Sequence, residues 1–360
     1  MKKNIFQKDQ IEYATIFKDE SIFYPSYLPE EIPARDKQIK EITFCLDPII
    51  KNKKAQNLLL FGTPGTGKTL LSKYVVKQLT EYTQKAKCVY INAIEDNTRY
   101  AVLLKILSMY PDVLPRRGLG TDEIFGRIKE NLKKQNSIPI IIIDEVDQLP
   151  PSEASYLLYE LSRTVVENKY FTLLLITNNK DFLVHLDPRV QSSLFITRIE
   201  FNKYLPVELK TILRERIKYG LIENAISEDL IGYIAGYASK AGGDARIAID
   251  LLFKAAKNAE KKGSLKITKQ ILLDSANVVD SIKLSEKKKT LSKLELSVLS
   301  SIIDGMQSGD LYSLFPKTQE RTIRRYITSF EKQKLIETKE INTKNGRTRQ
   351  IFLKFDKSLL

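Results

Sequence analysis

The stretch from Leu58 to Thr69 reads LLLFGTPGTGKT, an apolar run followed by Gly62, Thr63, Pro64, Gly65, Thr66, Gly67, Lys68 and Thr69. Glycine, four residues, then Gly-Lys-Thr is the spacing of a phosphate-binding loop. Glycines let the backbone fold around a phosphate chain and aim successive N–H groups at it. Lys68 has the reach for β- and γ-phosphates, and the Thr69 hydroxyl is placed to ligate Mg²⁺. The helix that opens around Leu70 adds its positive N-terminal end. A second group of chemical residues closes the run IPIIIIDEVDQL, where a buried strand ends in Asp144-Glu145. A carboxylate at the C-terminal edge of the strand beside the phosphate loop can hold Mg²⁺ through water. The adjacent glutamate can orient or deprotonate an attacking water. Together these imply ATP binding with hydrolysis. Asn178, at the end of the strand Leu173–Thr177, can sit between the phosphates and the acid pair. Arg246 falls in the first turn of a helix behind Gly242 and Gly243. An arginine there opposes the helix dipole, which points to an anionic partner such as a γ-phosphate.

The surrounding elements are legible from their periodicity. Three prolines, Pro25, Pro29 and Pro33, keep the leading segment extended. A helix is expected from Arg35, with Ile39, Ile42 and Leu46 on one face, and a charged loop over Lys51–Gln56. After the phosphate loop come a helix over Leu70–Tyr82, a strand over Val89–Asn92, and a helix over Tyr100–Tyr110. A break at PDVLPRRGLG separates that helix from another over Thr121–Lys134, with Thr121 as its N-cap. Ile138–Ile143, five isoleucines in six residues, reads as a fully buried parallel strand. A helix over Tyr156–Val166 and a strand over Phe171–Thr177 continue the alternation, giving an α/β domain with a parallel sheet. Beyond Pro206 the strand signal stops. Helices are expected over Val207–Tyr219, Ser227–Ala238, Asp244–Ala259 and Thr268–Val278. After the lysine-rich SEKKKTLSK come helices over Leu291–Met306, Leu311–Phe315 and Gln319–Lys334. Two strands, Leu335–Thr343 and Thr348–Phe355, then flank the hairpin signal Asn345-Gly346. Helices closed by a hairpin fit a winged helix-turn-helix.

Charge adds a partner class. The 360 residues carry a formal net charge of +14 with a pI near 9.4, as expected of a chain that meets a polyanion. Residues 281–360 hold 17 Lys/Arg against 9 Asp/Glu, which places nucleic-acid binding in the C-terminal part. There Arg321, Arg324 and Arg325 lie on the expected recognition helix, with Arg321 and Arg325 on one face. Lys344, Arg347 and Arg349 surround the hairpin tip, suited to phosphate or minor-groove contact. Arg116-Arg117-Gly118, between the two helices before the acid pair, is a second candidate. Cys45 and Cys88 match no metal or redox spacing, and His185, the lone histidine, cannot build a metal site or a triad. No apolar run approaches 18 residues and the N-terminus lacks a signal core, so a cytoplasmic, nucleoid-associated protein with no membrane partner is expected.

Taken together these motifs resemble the archaeal origin-recognition initiators. That AAA+ family combines features of the eukaryotic origin recognition complex subunit one and the cell-division-cycle-six loader. GTPGTGKT is similar to the family's Walker A motif, IIIIDEVDQL to its Walker B motif, and LLLITNN to its sensor-1 strand, with Asn178 as sensor. LDPRVQSSL resembles the segment bearing the candidate arginine finger, Arg189, although it lacks a second arginine seen in some eukaryotic relatives. FNKYLPVELKTILRERI resembles the first lid helix, which puts Tyr204 and Arg216 on nucleotide-pocket positions. GGDARIAIDLL resembles sensor 2, with Arg246. YLPEEIPARDKQI is similar to the linker near adenine, and Arg116-Arg117 falls in the initiator-specific insertion that meets DNA in relatives.

The resemblance implies an N-terminal linker over 1–40, an AAA+ base over 41–202, an α-helical lid over 203–282 and a winged-helix domain over 287–360. It implies ATP or ADP with Mg²⁺ as cofactors. Double-stranded origin DNA, the replicative MCM helicase and paralogous initiators are the implied partners. Hydrolysis would be slow and regulatory, with the nucleotide acting as a switch. Two other readings use the same motifs: a signal-transducing P-loop switch whose winged helix binds protein, and a clamp-loader subunit.

Overall fold

The structure is a computed structural model and describes residues 15–111, 118–276, 291–316, 318–333, 335–343 and 346–353. Its internal contacts divide the chain into two units, Met1–Thr268 and Lys269–Leu360.

The first unit is built on a five-stranded sheet. Its strands are β1 (Asn57–Gly62), β2 (Ala86–Asn92), β3 (Ile138–Asp144), β6 (Thr172–Thr177) and β7 (Ile196–Phe201). They lie in the order β2-β3-β6-β1-β7, and every neighbouring pair is parallel. Alternation of side chains across the strands sorts the apolar residues into two layers. Ile141, Ile143, Leu173, Leu175 and Leu59 face one layer. It is filled from α3 (Arg99–Leu107), α4 (Thr121–Lys134), α5 (Pro151–Arg163) and α6 (Pro188–Leu194). Ile140, Ile142, Leu174, Ile176, Leu58 and Leu60 face the other, covered by α1 (Asp36–Leu46) and α2 (Lys68–Tyr82). Burial on both faces is why the central strands β1, β3 and β6 read as apolar runs. A two-stranded hairpin, β4 (Val165–Val166) with β5 (Lys169–Tyr170), precedes β6.

Three helices complete the unit: α7 (Pro206–Gly220), α8 (Glu228–Lys240) and α9 (Ala245–Lys261). The N-terminal segment packs on them. Phe17 bridges Leu221, and Phe17, Phe23 and Tyr24 surround the Phe253 ring at centroid distances of 5.9, 6.0 and 6.1 Å. Gly220 admits this packing, because a Cβ there would lie 2.4 Å from the Phe23 ring.

The second unit begins with a helix, α10, described over residues 269–276. It continues through α11 (Lys293–Ser301), β8 (Met306–Gln307), α12 (Ser308–Ser313), α13 (Glu320–Lys332), β9 (Ile336–Thr343) and β10 (Gly346–Leu353). The strands form an antiparallel sheet in the order β8-β10-β9. Val298, Leu299, Leu311, Ile323, Ile327, Phe330 and Ile351 close its core.

Several expectations need correction. The strand beside β1 is β6, not β3, so the acid pair sits one strand further from the phosphate loop than expected. Thr121 is the first helical residue of α4, and Gly120 is its N-cap. The helix expected to run to Val166 ends at Arg163, where the β-branched Thr164, Val165 and Val166 turn into the hairpin. The helix expected to run to Met306 stops at Ser301, and Met306 joins the sheet as β8 against Ile351. Strand β7 went unread because Ile196, Ile199 and Phe201 are spaced by three and then two residues, with Thr, Arg and Glu between them, which is neither a strict alternation nor an unbroken apolar run.

Asn57 is a buried amide at the start of β1. Its Nδ2 donates to Leu194 O at 2.6 Å, and its Oδ1 accepts from Leu173 N at 2.9 Å. It therefore ties β1 to β6 and to the chain entering β7. Asn57→Leu would leave a buried carbonyl and a buried N–H unpaired. The expected loss is about 2–4 kcal/mol in a urea melt, and a variant as stable as the parent would contradict the assigned role.

Candidate nucleotide and nucleic-acid sites

The phosphate loop connects β1 to α2, and its conformation depends on glycine at two points. Gly67 has φ +91°, and a Cβ there would approach the Tyr204 hydroxyl to 2.8 Å. Gly65 has φ +72°, and a Cβ there would collide with the Asp244 carboxylate. Both positions combine left-handed backbone with close approach, which excludes other L-residues. Ala245 N donates to Gly65 O at 3.1 Å, so the start of α9 lies directly on the loop. Thr66 Oγ1 donates to Thr63 O at 2.8 Å and closes the loop's own turn. Pro64 stands between these two points, and Leu70 follows Thr69 in the first turn of α2.

Lys68 is buried and bonded three times. Its Nζ donates to Gly62 O at 2.7 Å, to Thr63 O at 2.9 Å and to Asn178 Oδ1 at 2.9 Å. Burial pulls its ammonium below the ordinary lysine value, against the opposing pull of Glu145 and Asp144. Asn178 turns its other end to the acid, with Nδ2 donating to Glu145 Oε2 at 2.7 Å. The strand order explains this chain. With β6 between β1 and β3, the residue after β6 is the natural bridge from the lysine to the glutamate. Glu145 has φ +53°, a left-handed conformation that costs energy in a non-glycine residue and turns its side chain off the strand end. Burial raises its carboxyl above the ordinary glutamate value.

Asp144 is 5% exposed and accepts on both oxygens. Thr69 Oγ1 donates to Oδ2 at 2.7 Å, Tyr90 OH to the same oxygen at 2.8 Å, and Glu145 N to Oδ1 at 3.0 Å. Burial beside Asp144 pushes the Tyr90 phenol well up, which keeps it a donor. A hydroxyl and a carboxylate in direct contact at the mouth of a phosphate loop fit Mg²⁺, which takes one or two protein ligands and fills its shell with water and phosphate oxygens. Among the described residues no group of three or more His, Cys, Asp or Glu could hold a metal by itself. Asp147, one turn on, accepts from Thr177 Oγ1 at 2.5 Å and so joins the ends of β3 and β6.

The two candidate arginines share a local device. Arg246 is 66% exposed and its guanidinium is folded onto Asp244, the N-cap of α9, at 3.0 and 3.3 Å. Arg189 is 84% exposed and folded in the same way onto Asp187, the N-cap of α6, at 3.3 and 3.4 Å. An arginine in a first helical turn is tolerated in both cases because an aspartate two residues earlier caps the helix and pairs with it. The unfavourable dipole term expected for Arg246 is thus offset locally. Arg246 is still close enough to Lys68 to lower its pKa.

Tyr204 is buried with its hydroxyl toward Gly67. Arg216 is buried elsewhere. Its Nη1 donates to Ile22 O at 2.5 Å and its guanidinium lies 4.5 Å from the Tyr27 ring centroid, so it holds the N-terminal segment. The residue the sequence reading missed is Arg35. It is 4% exposed and donates to Thr66 O at 3.1 Å, Ala34 O at 3.0 Å and Asn202 O at 2.9 Å, with its guanidinium 3.7 Å from the Tyr204 ring centroid. It joins the phosphate loop to the chain entering α7. Its segment, YLPEEIPARDKQI, resembles the linker near adenine, but nothing in it singles out the arginine between a proline-rich stretch and a helix.

In the second unit Arg321, Arg324 and Arg325 are exposed on α13, opposite the buried Ile323, Ile327 and Phe330. Arg324 lies 3.7 Å from Glu320. Arg349 is exposed on β10, and Arg347 lies in the same strand near the turn. Lys344, Arg116 and Arg117 lie outside the described residues. Among the described residues no helix is long and apolar enough to cross a membrane.

Similarity to known proteins agrees with this geometry. An AAA domain model matches residues 51–182, and a Cdc6 AAA+ ATPase-type lid domain model matches residues 210–275. The ORC1-type DNA replication protein 1 of Sulfurisphaera tokodaii is 30% identical over 358 residues, covering 94% of this chain and 90% of the relative. The ORC1-type DNA replication protein of Pyrococcus abyssi is 30% identical over 366 residues, covering 94% and 87%. Among solved structures, the Aeropyrum pernix ORC1 protein in complex with DNA has a TM-score of 0.70 at 26% identity, covering 96% of each chain. Cdc6p from Pyrobaculum aerophilum shares the fold, with a TM-score of 0.68 at 24% identity over 94% of this chain and 95% of that one.

Arg35→Lys keeps the charge but loses the planar fork that bonds several carbonyls at once. Urea melts should show a loss of about 2–3 kcal/mol, with weakened ADP binding. Parental stability together with parental ADP affinity would remove Arg35 from the site.

Proposed function

The chain belongs to the family of ORC1-type DNA replication proteins, and from that premise we propose that it is an ATP-switched initiator. In this reading it binds origin duplex DNA and helps recruit the replicative MCM helicase. The observation that carries the nucleotide half is the hydrogen-bonded line Lys68–Asn178–Glu145 beside the Thr69–Asp144 pair. Membership of the family sets aside the signal-transducing and clamp-loader readings.

Each side chain has a task in this proposal. The backbone from Gly62 to Leu70, with an N–H at every residue but Pro64, cradles the phosphates, and Lys68 gives up the Gly62 and Thr63 carbonyls to meet the β- and γ-oxygens. Thr69 and Asp144 would hold Mg²⁺, which supplies charge neutralisation on the phosphates when bound. Asn178 holds Glu145 by one carboxylate oxygen and leaves the other to take the proton of an attacking water. As that water oxygen bonds to the γ-phosphorus, the bond to the β–γ bridging oxygen breaks and ADP leaves. Arg246 would exchange Asp244 for the γ-phosphate, giving the α-helical lid a sense of nucleotide state. Tyr204 and Arg35 shape the loop from below, and Arg216 fixes the N-terminal linker near the base. Arg189 remains a candidate arginine finger toward a paralogous initiator, released from Asp187.

The chain is read as four parts: the linker over 1–40, the base over 41–202, the lid over 203–282 and the winged-helix domain over 287–360. In the last, α13 is read as the recognition helix, with Arg321, Arg324 and Arg325 toward DNA and Lys344, Arg347 and Arg349 at the wing. Arg116 and Arg117 are proposed as a further DNA contact. Hydrolysis is proposed to be slow, so that ATP and ADP states persist as signals in a cytoplasmic, nucleoid-associated protein.

Two sets of variants test this. Lys68→Ala should abolish ATP binding, while Glu145→Gln should bind ATP and stop hydrolysing it. Parental turnover in Glu145→Gln would contradict the assigned base. Arg321→Gln with Arg325→Gln should weaken duplex binding by about 1–3 kcal/mol per lost base contact, read by fluorescence anisotropy. An unchanged affinity would remove α13 from the DNA interface.

A further inference from the structure

The edge of the parallel sheet opposite the nucleotide, where the strands begin, collects lysine from four adjacent strands. Lys51, Lys53 and Lys54 precede β1, and all three are exposed. Lys85 and Lys87 flank the start of β2, both exposed, with Lys85 Nζ donating to Ile50 O at 2.9 Å and Lys87 Nζ to Gln135 Oε1 at 2.6 Å. Lys133 and Lys134 end α4 just before β3, and Lys169 stands before β6 with its Nζ on Lys133 O at 2.7 Å. Asn52 reaches across to Asn136 at 3.2 Å. These bonds join the turns before β1, β2, β3 and β6 into one continuous floor.

The charge of this floor is one-sided. The same turns hold three carboxylates, Asp47, Glu81 and Glu167. Glu167 is spent on Lys133 at 2.8 Å and Glu81 pairs with Lys77 at 3.7 Å. Among the described residues no carboxylate lies within ion-pair distance of Lys51, Lys53, Lys54, Lys85, Lys87 or Lys134. Part of this lysine complements the carbonyl ends of helices, Lys133 and Lys134 at the end of α4 and Lys51 at the end of the 3-10 turn Asp47–Lys51, but Lys53 and Lys54 lie in the loop beyond that turn and are not accounted for in that way.

We propose that this floor is a second, sequence-independent docking surface for the phosphate backbone of duplex DNA, separate from the arginines of α13. Four strands at a spacing of about 4.8 Å spread the ammonium groups over about 14 Å, and a duplex presents one negative charge per ~1.7 Å of its axis. Lysine is depleted from protein–protein interfaces, whereas protein–DNA interfaces are strongly positive. A duplex therefore suits the surface better than an acidic protein does. The contacts are point charges on flexible stems, which position DNA without reading its bases.

The inference rests on the DNA-binding reading above, and one experiment separates the two. The affinity of the full chain for a duplex of arbitrary sequence is measured by anisotropy across a salt series, for the parent and for Lys51→Gln/Lys53→Gln/Lys134→Gln. Each phosphate contact contributes about 0.9 to the slope of log affinity against log salt, so the triple variant should lose about 2–3 from the slope. Its ADP binding should match that of the parent, since the floor is on the far edge of the sheet. If the triple variant fails to bind ADP, Lys53→Gln and Lys134→Gln are measured singly, each expected to lose about 0.9. A parental slope in folded variants overturns the floor proposal and leaves DNA binding elsewhere intact. A parent that binds no duplex at any salt overturns the DNA reading itself, and the floor proposal with it.

Discussion

Three neighbouring strand ends hold a lysine, an amide and a glutamate in one hydrogen-bonded line, and the rest of the first unit serves to keep them there. Lys68 comes from the loop after β1, Asn178 from the end of β6 and Glu145 from the end of β3. The amide has one donor end and one acceptor end, so it can satisfy an ammonium and a carboxylate at once. A lysine and a glutamate meeting directly in a half-buried site would quench each other. Separated by Asn178, Glu145 keeps one oxygen for water, and Lys68 holds two of its three donors on the Gly62 and Thr63 carbonyls, which phosphate can replace. The strain at Glu145, φ +53°, is the visible cost of aiming that carboxylate.

The sheet supplies the rigidity this needs. Its central strands are covered on both faces, and polar groups such as the buried Asn57 and the partly buried Asp147 bind adjacent strands to one another at both ends. Around the phosphate loop, Arg35 and Tyr204 press from the segments leading into α1 and α7, while Asp244 and Ala245 press from the start of α9. The loop is therefore gripped by two parts of the chain far apart in sequence. Anything that moves α9 relative to the sheet acts on the loop and on Arg246 together, which is the physical basis of the proposal that this helix reads nucleotide state.

The motifs themselves were legible because phosphate and metal chemistry restrict residue type and spacing so tightly. GTPGTGKT and IIIIDE announce loop, strand and roles without a structure. Asn178 was legible only as an amide at a strand end within reach of the acid pair, and its reading as a sensor came from the resemblance. Strand adjacency was not, since nothing local in the Ile138–Asp144 run says which strand lies beside it, and the expectation placed β3 one position too close. Arg35 and Tyr90 were invisible because their roles depend on partners distant in sequence, Thr66 and Asn202 for one and Asp144 for the other. The aspartates capping α6 and α9 were overlooked for the opposite reason. Asp-x-Arg is too common to notice until the helix start and the folded-back guanidinium are seen together.

The central claim is that the nucleotide held by this line of residues governs engagement of duplex DNA. Its most direct test is the affinity of the purified full chain for duplex from its own replication origins, measured at one salt concentration with ADP and with a non-hydrolysable ATP analogue. The account predicts different dissociation constants in the two states, and that the difference vanishes in Lys68→Ala. Equal affinities with both nucleotides, at concentrations where each is bound, would contradict it.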